Sequence, residues 1–151
     1  MVFRSPMPFA HFDLYNTALE EFIQAGVNTV VMLTEEGEDL KRAGVNLKTL
    51  YHENKLNVIH FPIVDFSVPD DPQALHAVVS QVSEKIQQGE RVAVHCYAGQ
   101  GRTGLFIALL GRQLLGLNGD DAILWVRSYF PAIETKVQEK IVREFKPDSS
   151  T

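Results

Sequence analysis

Arg91-Val92-Ala93-Val94-His95-Cys96-Tyr97-Ala98-Gly99-Gln100-Gly101-Arg102-Thr103-Gly104-Leu105 is the stretch from which the fold is read. Its first five residues alternate and favour β-structure, the pattern of a buried strand, and from Leu105 an apolar run continues to Leu115, long enough for a helix. Cys96 therefore falls in a turn that leaves a strand and enters a helix N-terminus. Such a turn presents unpaired backbone N–H groups and the positive end of the helix dipole, which together cradle an anion. Gly99, Gly101 and Gly104 let the backbone approach a ligand closely. Arg102 adds a planar fork that matches two oxygens of a tetrahedral oxyanion. Positive surroundings of this kind favour a thiolate over a thiol, so Cys96 is expected to act as a nucleophile at neutral pH. The plainer alternative is a buried cysteine in an ordinary glycine-containing turn.

Outward from that stretch, Val27–Leu33 is a continuous apolar strand expected to have a parallel partner on each side, and Leu56–Phe61 is another, stopped by Pro62. Helices are expected over Asp13–Ala25, Glu35–Ala43 and Asn46–Lys55. A further one runs from Pro72 to Gly89, with Leu75, Val78, Val79, Val82 and Ile86 on one face and Asp70 or Asp71 as its cap. Asn118 and Asp121 open a helix that Pro131 breaks, with Trp125 and Tyr129 read as core, and Val137–Phe145 forms the last one. Residues 1–11 read as a short edge strand and a turn. The alternation predicts an α/β fold: a single domain over 1–151 with a mostly parallel central sheet of four to five strands, flanked by helices on both faces. Pro147–Thr151 is expected to fray. Sites in such sheets gather at the carboxyl ends of the strands, where both the Cys96 loop and the acidic Pro62–Pro72 loop fall.

A net charge of −5 with no polybasic run leaves no electrostatic source of affinity for nucleic acid or anionic membranes. One cysteine permits neither an internal disulfide nor a cysteine-based metal site, and His11, His52, His60 and His76 share no ligand spacing, so no metal and no cofactor are expected. No apolar run reaches the length of a membrane span and Met1–Pro6 lacks the plan of a signal peptide. These observations predict a cytoplasmic protein, taken as a monomer.

The pattern H-C-x-x-G-x-x-R-T-G over His95–Gly104 resembles the signature loop of the cysteine-dependent protein-tyrosine and dual-specificity phosphatases. Pro62-Ile63-Val64-Asp65 with Pro69 is similar to the acid loop of the kinase-associated (cyclin-dependent kinase inhibitor 3-like) members, with Phe66 where they usually carry glycine. The likeness runs from near Asp13 to the end of the last helix. It implies a protein-tyrosine-phosphatase-like fold and hydrolysis of phosphotyrosine in proteins or peptides, with phosphoserine and phosphothreonine as further substrates. The intermediate would be a phosphocysteine, and vanadate and tungstate would inhibit.

In that scheme Cys96 attacks phosphorus, and Arg102 with the backbone N–H groups of Tyr97, Ala98, Gly99, Gln100, Gly101 and Arg102 holds the phosphate. Asp65 protonates the departing oxygen; Asp70 and Asp71 are better read as helix caps. Thr103 offers its hydroxyl to the sulfur, and His95 fixes the loop by a hydrogen bond. Ala132–Gln138 is similar to the family loop whose glutamine positions the hydrolytic water, which nominates Gln138 against the reading of a solvated polar residue. Glu134 either assists proton transfer or, the favoured reading, is a first-turn acid suited to the helix dipole. A phosphoinositide or RNA 5′-phosphatase is the enzymatic alternative, but lipid-directed relatives place lysines in the loop and RNA-directed ones an asparagine before the arginine, which Tyr97, Ala98, Gln100 and Gly101 do not match. A binding module that captures phosphoproteins without hydrolysis is the alternative from another class.

Overall fold

The structure, a computed structural model, describes residues 1–149. Four strands, β1 (Val2–Ser5), β2 (Thr29–Met32), β3 (Asn57–His60) and β4 (Val92–His95), form one parallel sheet in the order β1-β4-β2-β3. The register sets Ser5 beside His95, His95 beside Met32 and Met32 beside His60, so all four strands end at one edge. The loops that carry Cys96 and Asp65 leave from that edge.

Alternation along the strands divides the apolar residues between two layers, because successive side chains point to opposite faces. Val31 of β2 and Val94 of β4 join α4 (Pro72–Gln87), α5 (Gly101–Leu115), α6 (Gly119–Arg127) and α7 (Lys136–Glu144) in one core. Val30, Met32 and Ala93 join α1 (Ala18–Gln24) and α3 (Leu47–Glu53) in the other, while α2 (Glu38–Ala43) sits at the carboxyl edge. The expected sheet is thus four-stranded, wholly parallel and covered on both faces. Gly101 through Gly111 of α5 are all buried, which is why that helix is apolar nearly all round.

Three local expectations give way to tertiary context. The first helix begins at Ala18, not Asp13, because Asp13 turns inward and accepts the backbone N–H groups of Phe9 (2.9 Å), Thr17 (3.1 Å) and Ala18 (3.3 Å). An aspartate that satisfies local backbone donors competes with helix hydrogen bonding, and Leu14 is left exposed. Tyr129, read as core, is exposed and stacks edge-on against Trp125 at 5.9 Å beyond the end of α6. The tail, read as frayed from Pro147, is held at Asp148 by Ser80 (2.6 Å), His76 (2.9 Å) and Gln113 (2.9 Å); residues 150 and 151, part of that same reading, lie outside the described residues.

Candidate active site

β4 delivers Cys96 to the start of the loop, 2 % exposed, where the Thr103 hydroxyl donates to its Sγ at 3.1 Å. His95, wholly buried, contacts the Cys96 carbonyl through Nδ1 (3.1 Å) and the Tyr51 hydroxyl through Nε2 (2.8 Å). A carbonyl only accepts, so Nδ1 carries the proton, Nε2 accepts from Tyr51 and the ring is neutral. Burial pulls the His95 pKa down to about 4, assisted by the nearby Arg102 cation and only partly opposed by the bond to the Cys96 carbonyl.

The loop turns its carbonyls outward. Tyr97 O accepts from Met7 N (2.9 Å), Ala98 O and Gly99 O accept from Arg4 (3.2 and 2.8 Å), and Gln100 O accepts from Gly104 N (2.8 Å) and Ile133 N (3.2 Å). No side chain caps α5, and among the described residues no acceptor meets the backbone N–H groups of residues 97–102, which leaves a ring of donors for an anion. Gly99 has φ = 76°, and a Cβ there would lie 2.5 Å from the Ser5 carbonyl oxygen. At Gly104 a Cβ would come within 2.7 Å of the Ile133 nitrogen. These two approaches are closed to any other residue.

Arg102 is fully buried. Its Nη1 and Nη2 meet Glu38 Oε1 and Oε2 end-on at 2.8 and 2.9 Å, and Nη1 also donates to the Ile63 carbonyl at 2.9 Å. Among the described residues Nε, although buried, has no partner. The Nε and Nη2 edge is thus the part of the guanidinium left for an oxyanion. Burial raises the Glu38 pKa, but the hydrogen bonds from Arg102 and the Glu35 N–H outweigh it, so the carboxyl is held below its ordinary value. Glu38 was not among the residues singled out from sequence. It sits in the acidic run Glu35-Glu36-Gly37-Glu38-Asp39, which looks like a solvated face; the only available signal is that a buried arginine demands an anion.

Asp65 stands 3.4 Å from Arg102 Nη2 and 3.4 Å from Arg42 Nη2, with the Phe66 N–H on its Oδ1 at 3.0 Å. Arg42 also pairs with Glu38 (3.3 Å) and lies over the Tyr97 ring at 3.9 Å, so α2 ties the two loops together. Asp71 caps α4 through Gln73 N (2.9 Å) and Ala74 N (3.3 Å). Phe66 adopts φ = 61°, the left-handed conformation that glycine takes without cost.

Gln138 is fully buried rather than solvated: its Oε1 accepts from Glu134 N (2.9 Å) and its Nε2 donates to Ser67 O (3.1 Å), joining the Asp65 loop to the segment before α7. Glu134 precedes the N-cap Thr135, so it lies outside the first turn, and its carboxylate covers Gly101, where a Cβ would come within 2.6 Å of Oε1. The favoured helix-dipole reading of Glu134 is thereby replaced by a place against the loop from Cys96 to Gly104. Among the described residues no cluster of His, Cys, Asp and Glu is arranged to hold a metal ion, and no helix is long and apolar enough to cross a membrane.

Residues 11–112 match the family model described as "Tc-R-P: Polymorphic toxin system, DSP-PTPase phosphatase". Protein tyrosine phosphatase domain-containing protein 1 of Mus musculus is 31% identical over 136 residues, covering 84% of this chain and 18% of that protein. Cyclin-dependent kinase inhibitor 3 of Sus scrofa is 31% identical over 91 residues, covering 60% of this chain and 42% of the other. The crystal structure of kinase associated phosphatase, with its catalytic-site cysteine replaced by serine, has a TM-score of 0.82 at 24% identity over 93% of this chain and 82% of that one, a likeness of fold. The chain spans under a fifth of the length of the phosphatase domain-containing relatives it matches.

Proposed function

The chain belongs to the dual-specificity protein-tyrosine phosphatase (DSP-PTPase) family, and from that premise we propose that it hydrolyses phosphotyrosine in proteins through a phosphocysteine, with phosphoserine and phosphothreonine as further substrates. The Cys96 sulfur attacks phosphorus in line as the bond to the leaving oxygen breaks, and Asp65 gives that oxygen its proton. The N–H groups of residues 97–102 and the open edge of Arg102 stabilise the equatorial oxygens as charge develops. Water then attacks the phosphocysteine, its proton passing to Asp65, and the departing sulfur is steadied by Thr103. Gln138 acts first as a tie on the Asp65 loop, and its second amide N–H is the donor for that water.

The observation that carries this reading is the placement of the Cys96 sulfur, bonded by Thr103, at the base of a ring of donors next to an arginine clamped end-on by Glu38. A loop without lysine and a net charge of −5 favour a protein substrate over inositol phosphates or RNA 5′ ends. No metal or cofactor takes part in this scheme, and the chain works as a monomer in the reducing cytoplasm. Replacing Cys96 with serine should reduce turnover of p-nitrophenyl phosphate to background while tungstate still binds, and vanadate should inhibit the parent protein. Phosphopeptides, inositol phosphates and 5′-triphosphorylated RNA assayed side by side decide the substrate; phosphopeptides turned over no faster than the others would overturn the assignment.

A further inference from the structure

We propose that Arg4, on the first strand and far from the signature loop in sequence, is a positioning residue that holds the phosphate loop with its donors facing inward. The inference rests on the phosphatase reading above.

Arg4 pairs with Val94 across β1 and β4, so its side chain departs beside the strand that leads into Cys96. Its Nε–H donates to the Gly99 carbonyl at 2.8 Å and its Nη2–H to the Ala98 carbonyl at 3.2 Å, one fork on two successive peptide groups. A trans peptide is planar, with its C=O and the following N–H pointing in opposite directions. Fixing the Ala98 carbonyl outward therefore turns the Gly99 N–H inward, and fixing the Gly99 carbonyl outward does the same for the Gln100 N–H. Two donors of the anion ring are thus set by one guanidinium. Gly99 is the residue whose left-handed backbone would most easily let these peptide planes flip, and it is where Arg4 holds.

The close approach also requires that glycine, because a Cβ at position 99 would stand 2.8 Å from Arg4 Nη2. Behind it, the guanidinium lies 4.7 Å from the centre of the Phe130 ring, which holds it against the loop. Among the described residues no carboxylate pairs with Arg4. Its electrostatic partner is the Cys96 sulfur, whose attraction opposes the lowering of the Arg4 pKa by desolvation.

The test compares Arg4→Met and Arg4→Lys with the parent protein in two measurements. These are tungstate affinity and the kcat and KM for p-nitrophenyl phosphate, with circular dichroism and melting temperature as folding controls. Arg4→Met should weaken tungstate and lower kcat/KM by about tenfold each, the scale of one lost charged hydrogen bond. Arg4→Lys keeps the charge but cannot span two carbonyls, so it should leave tungstate weakened as well. A folded Arg4→Met protein with parental tungstate affinity overturns the proposal, as does a variant that loses only melting temperature. Should Arg4→Met fail to fold, Arg4→Lys decides, since parental tungstate affinity there removes the fork. Tungstate binding needs no turnover, so a parent protein inactive on every phosphate ester would overturn the proposed function without touching this result.

Discussion

Two loops leave the same edge of the sheet and meet at Arg102, yet the groups they present are held differently. The loop from Cys96 to Gly104 is fixed through its own backbone: its outward carbonyls are engaged by Arg4, Met7, Gly104 and Ile133, and its tightest approaches admit only glycine. The loop from Pro62 to Pro72 is anchored through its backbone at Ile63, to Leu33 and Arg102, and at the Ser67 carbonyl by Gln138, but its acid is held only through its side chain, by Arg42 and Arg102 on Asp65, and it keeps Phe66 exposed in a left-handed conformation. A cradle for a dianion has to be preorganised, because donors that reorient on binding lose part of their stabilisation. A proton donor has to move with its leaving group, and side-chain ties allow that.

Changes within the first loop should therefore cost more than changes within the second. Arg102→Lys keeps the charge but loses the end-on grip on Glu38 and the open donor edge, and should lower kcat/KM by up to about a thousandfold. Loss of under tenfold in single-turnover kinetics would mean that the fork is dispensable.

Acid should loosen the same loop through His95. The folded protein keeps this ring neutral down to about pH 4, whereas an unfolded histidine charges below about 6.5. The unfolded state thus binds the extra proton first: the contribution is complete above pH 6.5 and is lost between 6.5 and 4, by about 3 kcal/mol. Urea midpoints measured across that range in the parent and in His95→Asn should diverge; parallel curves would place the acid sensitivity elsewhere.

In the second loop, Asp65→Asn should slow hydrolysis of phenyl phosphate about a hundredfold and that of a substrate with a more acidic leaving group far less. Equal slowing of both would take Asp65 out of proton transfer. The smallest effect is expected at Phe66. Asparagine tolerates left-handed angles, so Phe66→Asn should stabilise the protein by up to about 1 kcal/mol, read as a small rise in melting temperature with kcat nearly unchanged. A fall in melting temperature would show that the exposed ring is held by contacts stronger than the backbone strain.

The fold was legible because its signals are local: β-branched runs for β2 and β4, helical spacing along α4, and Asp71 and Asn118 as caps that the structure uses. Within the site, the contacts of Cys96 with Thr103 and of His95 with the Cys96 carbonyl lie within one short stretch and follow the same logic. What was illegible acts over distance. Glu38 lies 64 residues from Arg102 and Arg4 lies 95 from Gly99, and neither position looks unusual among its neighbours. Asp13 misled for the converse reason: helical spacing around it is real, but its carboxylate had closer backbone donors to satisfy.

The strand that carries Arg4 is synthesised before its partner in the sheet, which comes 90 residues later, Val2 beside Val92. Closing so long a segment is entropically costly and slow, and until β4 arrives β1 lacks the strand it pairs with in the sheet. During translation the anion cup is consequently finished late. A nascent polypeptide halted short of Val92 would carry β1 as an unmatched ribbon, open to association with foreign strands.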